Sequence, residues 1–300
     1  TLALTGVAAA LAAFLLWAVP YGISLGRHSE PVVVFLSDST AARDAVLKTE
    51  APPNVADTYV KQRKKRWTMS APNEIDYHTR QDMVANARDL PEKHSLTVPR
   101  GQTFKIILSD GTEVYMNTDS RLVYPDHFTG AERSVFLEGE AYFKVAKDSA
   151  RPFIVRSGKL ETQVLGTSFN FRNYIHSTPH VTLVEGRVLV TGHDTSVTLH
   201  PNEDAQIGDD GTIRVTQVDP RSYTAWVDGY FYFDNASLEE IMRELGRWYN
   251  LNILFENPEA MKYHFNFWAS RKNGIHNVIE LLNDLGKVKA SLDNNALIIS

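Results

Sequence analysis

Cysteine is absent from all 300 residues. A disulfide framework and a thiolate metal site are therefore excluded, while the redox state of the compartment stays open. A basic excess is missing too: 31 lysines and arginines stand against 36 acidic residues, a net charge of −5, which argues against a general nucleic-acid binder. No phosphate loop, nucleophile elbow or dinucleotide fingerprint occurs, and the glycines stand singly at turns rather than in phosphate-cradling runs. His176 and His180 have the spacing of two ligands on a helix, but Pro179 and the surrounding β pattern remove the helix, so no metal or cofactor site is expected. The chain begins at Thr1 rather than at methionine, which points to a longer parent protein with sequence preceding this one.

What is present begins with one long apolar run. From Leu2 to Leu25 no side chain is charged, Trp17 and Tyr21 lie toward one end, and about twenty apolar residues suffice to cross a bilayer as a helix. Residues 1–28 are read as a transmembrane helix, in preference to a signal peptide or a buried core helix. Residues 29–95 read as a juxtamembrane linker in which only "PVVVFL" suggests a strand. The basic run Lys61 to Arg66 within it is most simply a solvated face.

From residue 96 the rhythm becomes period two. Phe104, Ile106 and Leu108 alternate with other residues, Ser109-Asp110-Gly111 turns, and Val114 and Met116 resume. Similar short runs continue to Leu199, so residues 96–221 are predicted to be an all-β sandwich or roll. Within it, "VFLEGEAYFKV" places Glu138 and Glu140 either side of Gly139, as a pair of catalytic carboxylates would stand. The sequence answers this itself. "LVEGRVLV" and "WVDGYFYF" repeat the acid–glycine pair but replace the second acid by Arg187 and Tyr230, so the shared element suits a bend rather than a catalytic pair. No enzyme is expected.

Residues 222–300 change class. Ser237 and Glu240 form a capping box, Leu238, Ile241, Met242, Leu245, Trp248 and Tyr249 recur at helical spacing, and a second helix near Ile275–Leu285 stops at Gly286. With the flanking strands the order is β-α-β-β-α-β-β, a small α+β domain.

The blocks "SLTVPRGQTFKIILSDGTEVYMNTDSRLVYP", "VFLEGEAYFKVAKDSARPFIV", "VLGTSFNFRNY", "VTLVEGRVLV" and "SLEEIMRELGRWYNLNILFEN" resemble, in order, those of FecR-like transmembrane anti-sigma factors of the Bacteroidetes type. The last domain resembles the secretin and TonB short N-terminal domain. The resemblance implies a single-pass inner-membrane protein with its C-terminal bulk in the periplasm. Its partners would be the signalling domain of an outer-membrane TonB-dependent transducer and an extracytoplasmic-function sigma factor, the latter bound through an N-terminal segment this chain lacks. A periplasmic structural module of an envelope assembly is the alternative. The resemblance also raises self-cleavage between Gly166 and Thr167, against which a tight turn is the simpler reading. For partner binding, the aromatic-bearing strand with Phe265 and Trp268 and the uncharged terminal strand Leu297, Ile298, Ile299 are candidate exposed edges for strand addition.

Overall fold

The computed structural model describes residues 31–38, 44–50, 68–71, 73–78 and 91–300. The apolar run Leu2–Leu25 and the basic run Lys61–Arg66 lie outside the described residues. Among those described, no helix is long and apolar enough to cross a membrane.

The first strand, β1 (Val32–Phe35), does not pair with its sequence neighbours, and its place becomes clear only at the far end of the chain. The next sixteen build a β lobe. They are β2 (Val46–Glu50), β3 (Thr68–Ala71), β4 (Glu74–Asp76), β5 (Lys93–Val98), β6 (Phe104–Ile107), β7 (Glu113–Met116), β8 (Ser120–Pro125) and β9 (Arg133–Lys144), followed by β10 (Phe153–Ser157), β11 (Leu160–Val164), β12 (Ser168–Asn173), β13 (His180–Glu185), β14 (Val188–Gly192), β15 (Thr195–Leu199), β16 (Glu203–Ile207) and β17 (Ile213–Gln217). The expected all-β segment is present. The expected linker 29–95 is not a plain linker, because β2 pairs with β5 and β4 with β6, adding strands to both layers of the lobe.

The two layers meet along β9. Its first half pairs with β8 and β10, its second half with β7 and β12, so one strand serves both layers and the sheet folds back over its own core. The hinge is Gly139, with φ of 98°, where a Cβ would lie 2.4 Å from Ser120 Oγ and 2.8 Å from Ser120 Cα. Only glycine tolerates both the backbone angle and the approach. The bend read from the repeat is thus present, and the glycines of the other two copies, Gly186 and Gly229, also have positive φ. Leu137, Ala141, Phe143, Phe153, Phe169 and Phe171 fill the space between the layers and are fully buried, with Phe143 stacked on Phe169 at 5.1 Å. Each large apolar side chain sequestered in this way contributes roughly 1.5–3 kcal/mol.

A short α1 (Arg221–Thr224) and a 3-10 turn (Ala225–Asp228) lead into the second lobe: β18 (Tyr230–Ser237), α2 (Leu238–Tyr249), β19 (Asn252–Phe255), β20 (His264–Ser270), α3 (Ile275–Asp284), β21 (Ala290–Asp293) and β22 (Ala296–Ile299). This is the predicted β-α-β-β-α-β-β order. Ser237 caps α2 by accepting from the Glu240 amide at 3.2 Å, and Asn250 ends it in the left-handed conformation. The strands divide into a ribbon, β18–β20, and a four-stranded sheet in the order β1-β19-β22-β21.

That order corrects the expectation of an exposed terminal edge. β22 runs parallel to β19 on one side and antiparallel to β21 on the other, with Leu297 and Ile299 fully buried and Ile298 half-buried. A short uncharged apolar strand suits the centre of a mixed sheet as well as it suits an unguarded edge, and burial of Leu297 and Ile299 favours the centre. The edges are β1 and β21. Phe265 is also core, while Trp268 on the opposite face of β20 is 63% exposed.

Candidate functional site

Helix α2 carries the predicted apolar stripe, with Leu238, Ile241, Met242 and Leu245 fully buried. Its other side is buried too. Glu244 and Arg247, spaced as an ordinary exposed ion pair, face the β lobe and are 5% and 3% exposed. The seam between the lobes is therefore polar. Arg172 of β12 donates to Glu244 at 3.0 Å, and Arg247 donates to the same Glu244 oxygen at 3.0 Å while stacking 3.7 Å over the Tyr174 ring. Arg271, following β20, lies between the rings of Trp248 and Phe231 at 4.7 and 4.9 Å.

The β lobe answers with Glu140, 3% exposed. Its two oxygens accept from the side-chain amides of Asn117 at 2.7 Å and Asn170 at 2.8 Å. Each asparagine then presents its own oxygen across the seam: Asn117 accepts from Arg271 at 2.7 Å, and Asn170 accepts from the Trp226 indole at 3.3 Å. Glu140 thus orients two amides that hold the second lobe. Both of its oxygens are engaged in holding these amides. Glu138, its neighbour across Gly139, is exposed and pairs with Arg121 at 3.4 Å. No other copy of the repeat keeps Glu140, and its role depends on Asn117, Asn170 and, through Asn117, Arg271, all distant in sequence, so nothing local marks the seam.

The electrostatics follow from burial and count. Burial raises the Glu140 carboxyl above the ordinary range, reinforced by Glu244 and opposed by Arg172 and the two amides. Burial acts the same way on Glu244, but Arg172, Arg247 and Arg271 outweigh it and hold that carboxyl below the ordinary range. Arg271 is itself lowered by burial, against the pull of Glu244 and Glu140. A cavity of about 30 Å³ lies at the seam against Glu140, Arg172, Trp226, Glu244 and Arg271, large enough for water. Arg172 Nε, Arg271 Nε and Glu244 Oε2 are buried and hydrogen-bond to no protein group.

The other predicted residues are scattered. Gly166 and Thr167 sit beside a separate cavity of about 190 Å³ walled by Lys144, Lys147, Glu113 and Glu185. The Thr167 hydroxyl donates to the Arg187 carbonyl at 3.0 Å, and the Thr167 carbonyl accepts from the Val145 amide at 3.0 Å, as a turn residue would. Trp268 stacks on Tyr230 at 5.3 Å and lies opposite Tyr232 in the register of the ribbon, forming an exposed aromatic face. His180 pairs with Asp204 at 2.8 Å, and no metal-binding group of histidines and acids occurs among the described residues.

Residues 94–189 match the model of the FecR protein family, and residues 230–299 match that of the FecR C-terminal region. The chain belongs to the FecR family. The two matches fall on the two lobes, so the seam joins one FecR unit to the other: Asn117, Glu140 and Arg172 lie in the first, Glu244, Arg247 and Arg271 in the second. Two crystal structures of a candidate anti-sigma factor from Parabacteroides distasonis are similar to the chain. They have TM-scores of 0.64 and 0.63 at 27% identity, covering 69% of this chain and 98% of theirs. No match occurs among curated proteins.

Proposed function

We propose that this FecR-family chain is an anti-sigma regulator that relays a signal from an outer-membrane TonB-dependent transducer, across the inner membrane, to an extracytoplasmic-function sigma factor. The single observation that carries the reading is the pair of FecR matches in order on two lobes, joined to a similarity spanning 98% of a candidate anti-sigma factor. In this reading the apolar run Leu2–Leu25 is the membrane span, both lobes are periplasmic, and the sigma factor is engaged by a segment preceding the run. With β22 central, docking of the transducer's signalling domain moves to the exposed ribbon, where Trp268 and Tyr230 supply the rigid aromatic surface typical of interaction sites. The buried seam lets the two lobes move as one body, so a force on the ribbon is carried into the β lobe rather than lost at a joint.

The test is co-purification. The parent protein with its upstream segment should retain a sigma factor encoded beside it, and Trp268→Ala should abolish retention of the transducer's signalling domain without affecting the sigma factor. A parent protein that retains neither overturns the reading.

A further inference from the structure

The strand β1 is placed where its sequence neighbours are not. It pairs antiparallel with β19, Val32 opposite Phe255 and Val33 opposite Leu254, and the register slips before Phe35. A segment near the start of the chain thus completes the sheet of the last lobe, on the edge left free by β22.

The seat it occupies is built in detail. The Phe35 ring lies against Gly246 in the last turn of α2, where a Cβ would stand 2.8 Å from Phe35 Cδ1 and equally 2.8 Å from Ile253 Cγ1 of β19, so the glycine makes room for the strand β19 and for the Phe35 ring together. Two guanidinium groups flank the ring, Arg100 of the β lobe at 4.7 Å and Arg247 at 5.6 Å. Arg243 donates to the Val34 carbonyl at 2.8 Å and Arg100 to the Leu36 carbonyl at 3.0 Å. Asn252 accepts from the Ser37 amide at 2.8 Å, while Asn250 accepts from the Asp38 amide at 2.8 Å and donates to its carbonyl at 2.9 Å. These contacts are mostly to backbone, which any extended chain supplies.

The occupant, by contrast, is slight. β1 has four residues, of which only Val34 is buried and Phe35 half-buried, while Val32, Val33 and Leu36 are 37%, 44% and 60% exposed. A short edge strand with one buried side chain sits at the low end of local stability. Its seat contains no part that depends on β1 remaining in the same chain.

We infer that the outer edge of β19 is a strand-accepting site, filled in cis by β1, and that an extended segment of a partner protein enters it by displacing β1. The partner segment carries an aliphatic residue followed directly by an aromatic one, the pair that Val34 and Phe35 present, with main-chain hydrogen bonds supplying the rest. The site is distinct from the aromatic ribbon and does not depend on which protein docks there.

The probe is a fluorescein-labelled peptide of residues 31–38, PVVVFLSD, titrated by anisotropy into the full chain in detergent. In cis, β1 competes at an effective concentration of the order of millimolar, so the wild-type chain should bind the peptide weakly. Phe35→Ala weakens β1 and leaves the seat intact, and should tighten peptide binding at least about tenfold. The chain has no cysteine, so Val33→Cys with Leu254→Cys places a single disulfide across the pair. When oxidised, this variant should not bind the peptide, and reduction should restore binding. A peptide with alanine in place of its phenylalanine should fail to bind throughout. If Phe35→Ala unfolds the lobe by circular dichroism, Val34→Ser serves in its place. Equal affinity for wild type and the weakened variant, no binding by the weakened variant, or equal binding by oxidised and reduced lock overturns the inference. These outcomes leave the sigma-factor co-purification untouched, so the two proposals fail separately.

Discussion

Replacing Arg271 by methionine tests whether the seam couples the lobes. The substitution keeps an apolar stem between Trp248 and Phe231 and removes the guanidinium that bonds Asn117 at 2.7 Å. A hydrogen bond to a charged group contributes about 1.5–3 kcal/mol, and each ring contact roughly 0.5–1 kcal/mol. Against this, burial disfavours the Arg271 charge, and losing it relieves a desolvation cost. Breaking one member of a buried ionic cluster costs about 3–5 kcal/mol when the remaining charge is stranded. Here Glu244 keeps Arg172 and Arg247, each at 3.0 Å, so the expected loss lies lower, about 2–3 kcal/mol. Because Arg271 and its acceptor belong to different lobes, the loss falls on their coupling. Urea unfolding followed by tryptophan fluorescence and far-ultraviolet circular dichroism should show one coincident transition for the wild type. In Arg271→Met the two probes should separate, since three of the five tryptophans, Trp226, Trp248 and Trp268, report the second lobe and its seam, and Trp17→Phe with Trp67→Phe as the background restricts the signal to them. Coincident transitions with a midpoint shift equivalent to less than about 0.5 kcal/mol would refute a coupling role for the seam.

Gly139→Ala should destabilise the β lobe by at least about 3 kcal/mol, combining a strained positive φ with the 2.4 Å approach to Ser120, and thermal unfolding would reveal it. Leu297→Ala, in the centre of the second sheet, should cost about 2–5 kcal/mol by the same measurement; a cost near zero would mean β22 is not central after all. Glu244 is held below the ordinary carboxyl range, so its contribution is present above that range and lost as pH falls through its folded value; Glu140, held above the range, contributes in the opposite sense, its stabilisation declining as pH rises. Urea midpoints at about pH 7 and about pH 3.5 should therefore converge in Glu244→Gln relative to wild type, whereas in Glu140→Gln the gap between them should widen. Folded, purified chain should yield no fragment beginning at Thr167 by intact mass and N-terminal sequencing, since that hydroxyl is bonded to the Arg187 carbonyl; appearance of the fragment would restore self-cleavage.

Local pattern alone determined a good deal of this protein. Period-two alternation from Phe104 to Leu199 is a property of neighbouring residues, and the strands formed there because one apolar face could be buried. Ser237, Glu240 and Asn250 bounded α2 for reasons contained within a few residues, and the recurrence of acid–glycine identified Gly139 as a bend because the demand for positive φ is itself local. Tertiary structure decided whatever depended on which surfaces meet. Glu244 and Arg247 have the spacing of a solvated pair, and only the arrival of the β lobe makes them buried. Glu140 gains its role from Asn117 and Asn170, 23 and 30 residues distant. Leu297–Ile299 has the composition of an edge and of a centre alike. It became a centre because β19, from before β20 and α3 in the chain, pairs with it on one side while β21 closes the other, and no periodicity in either segment records that pairing.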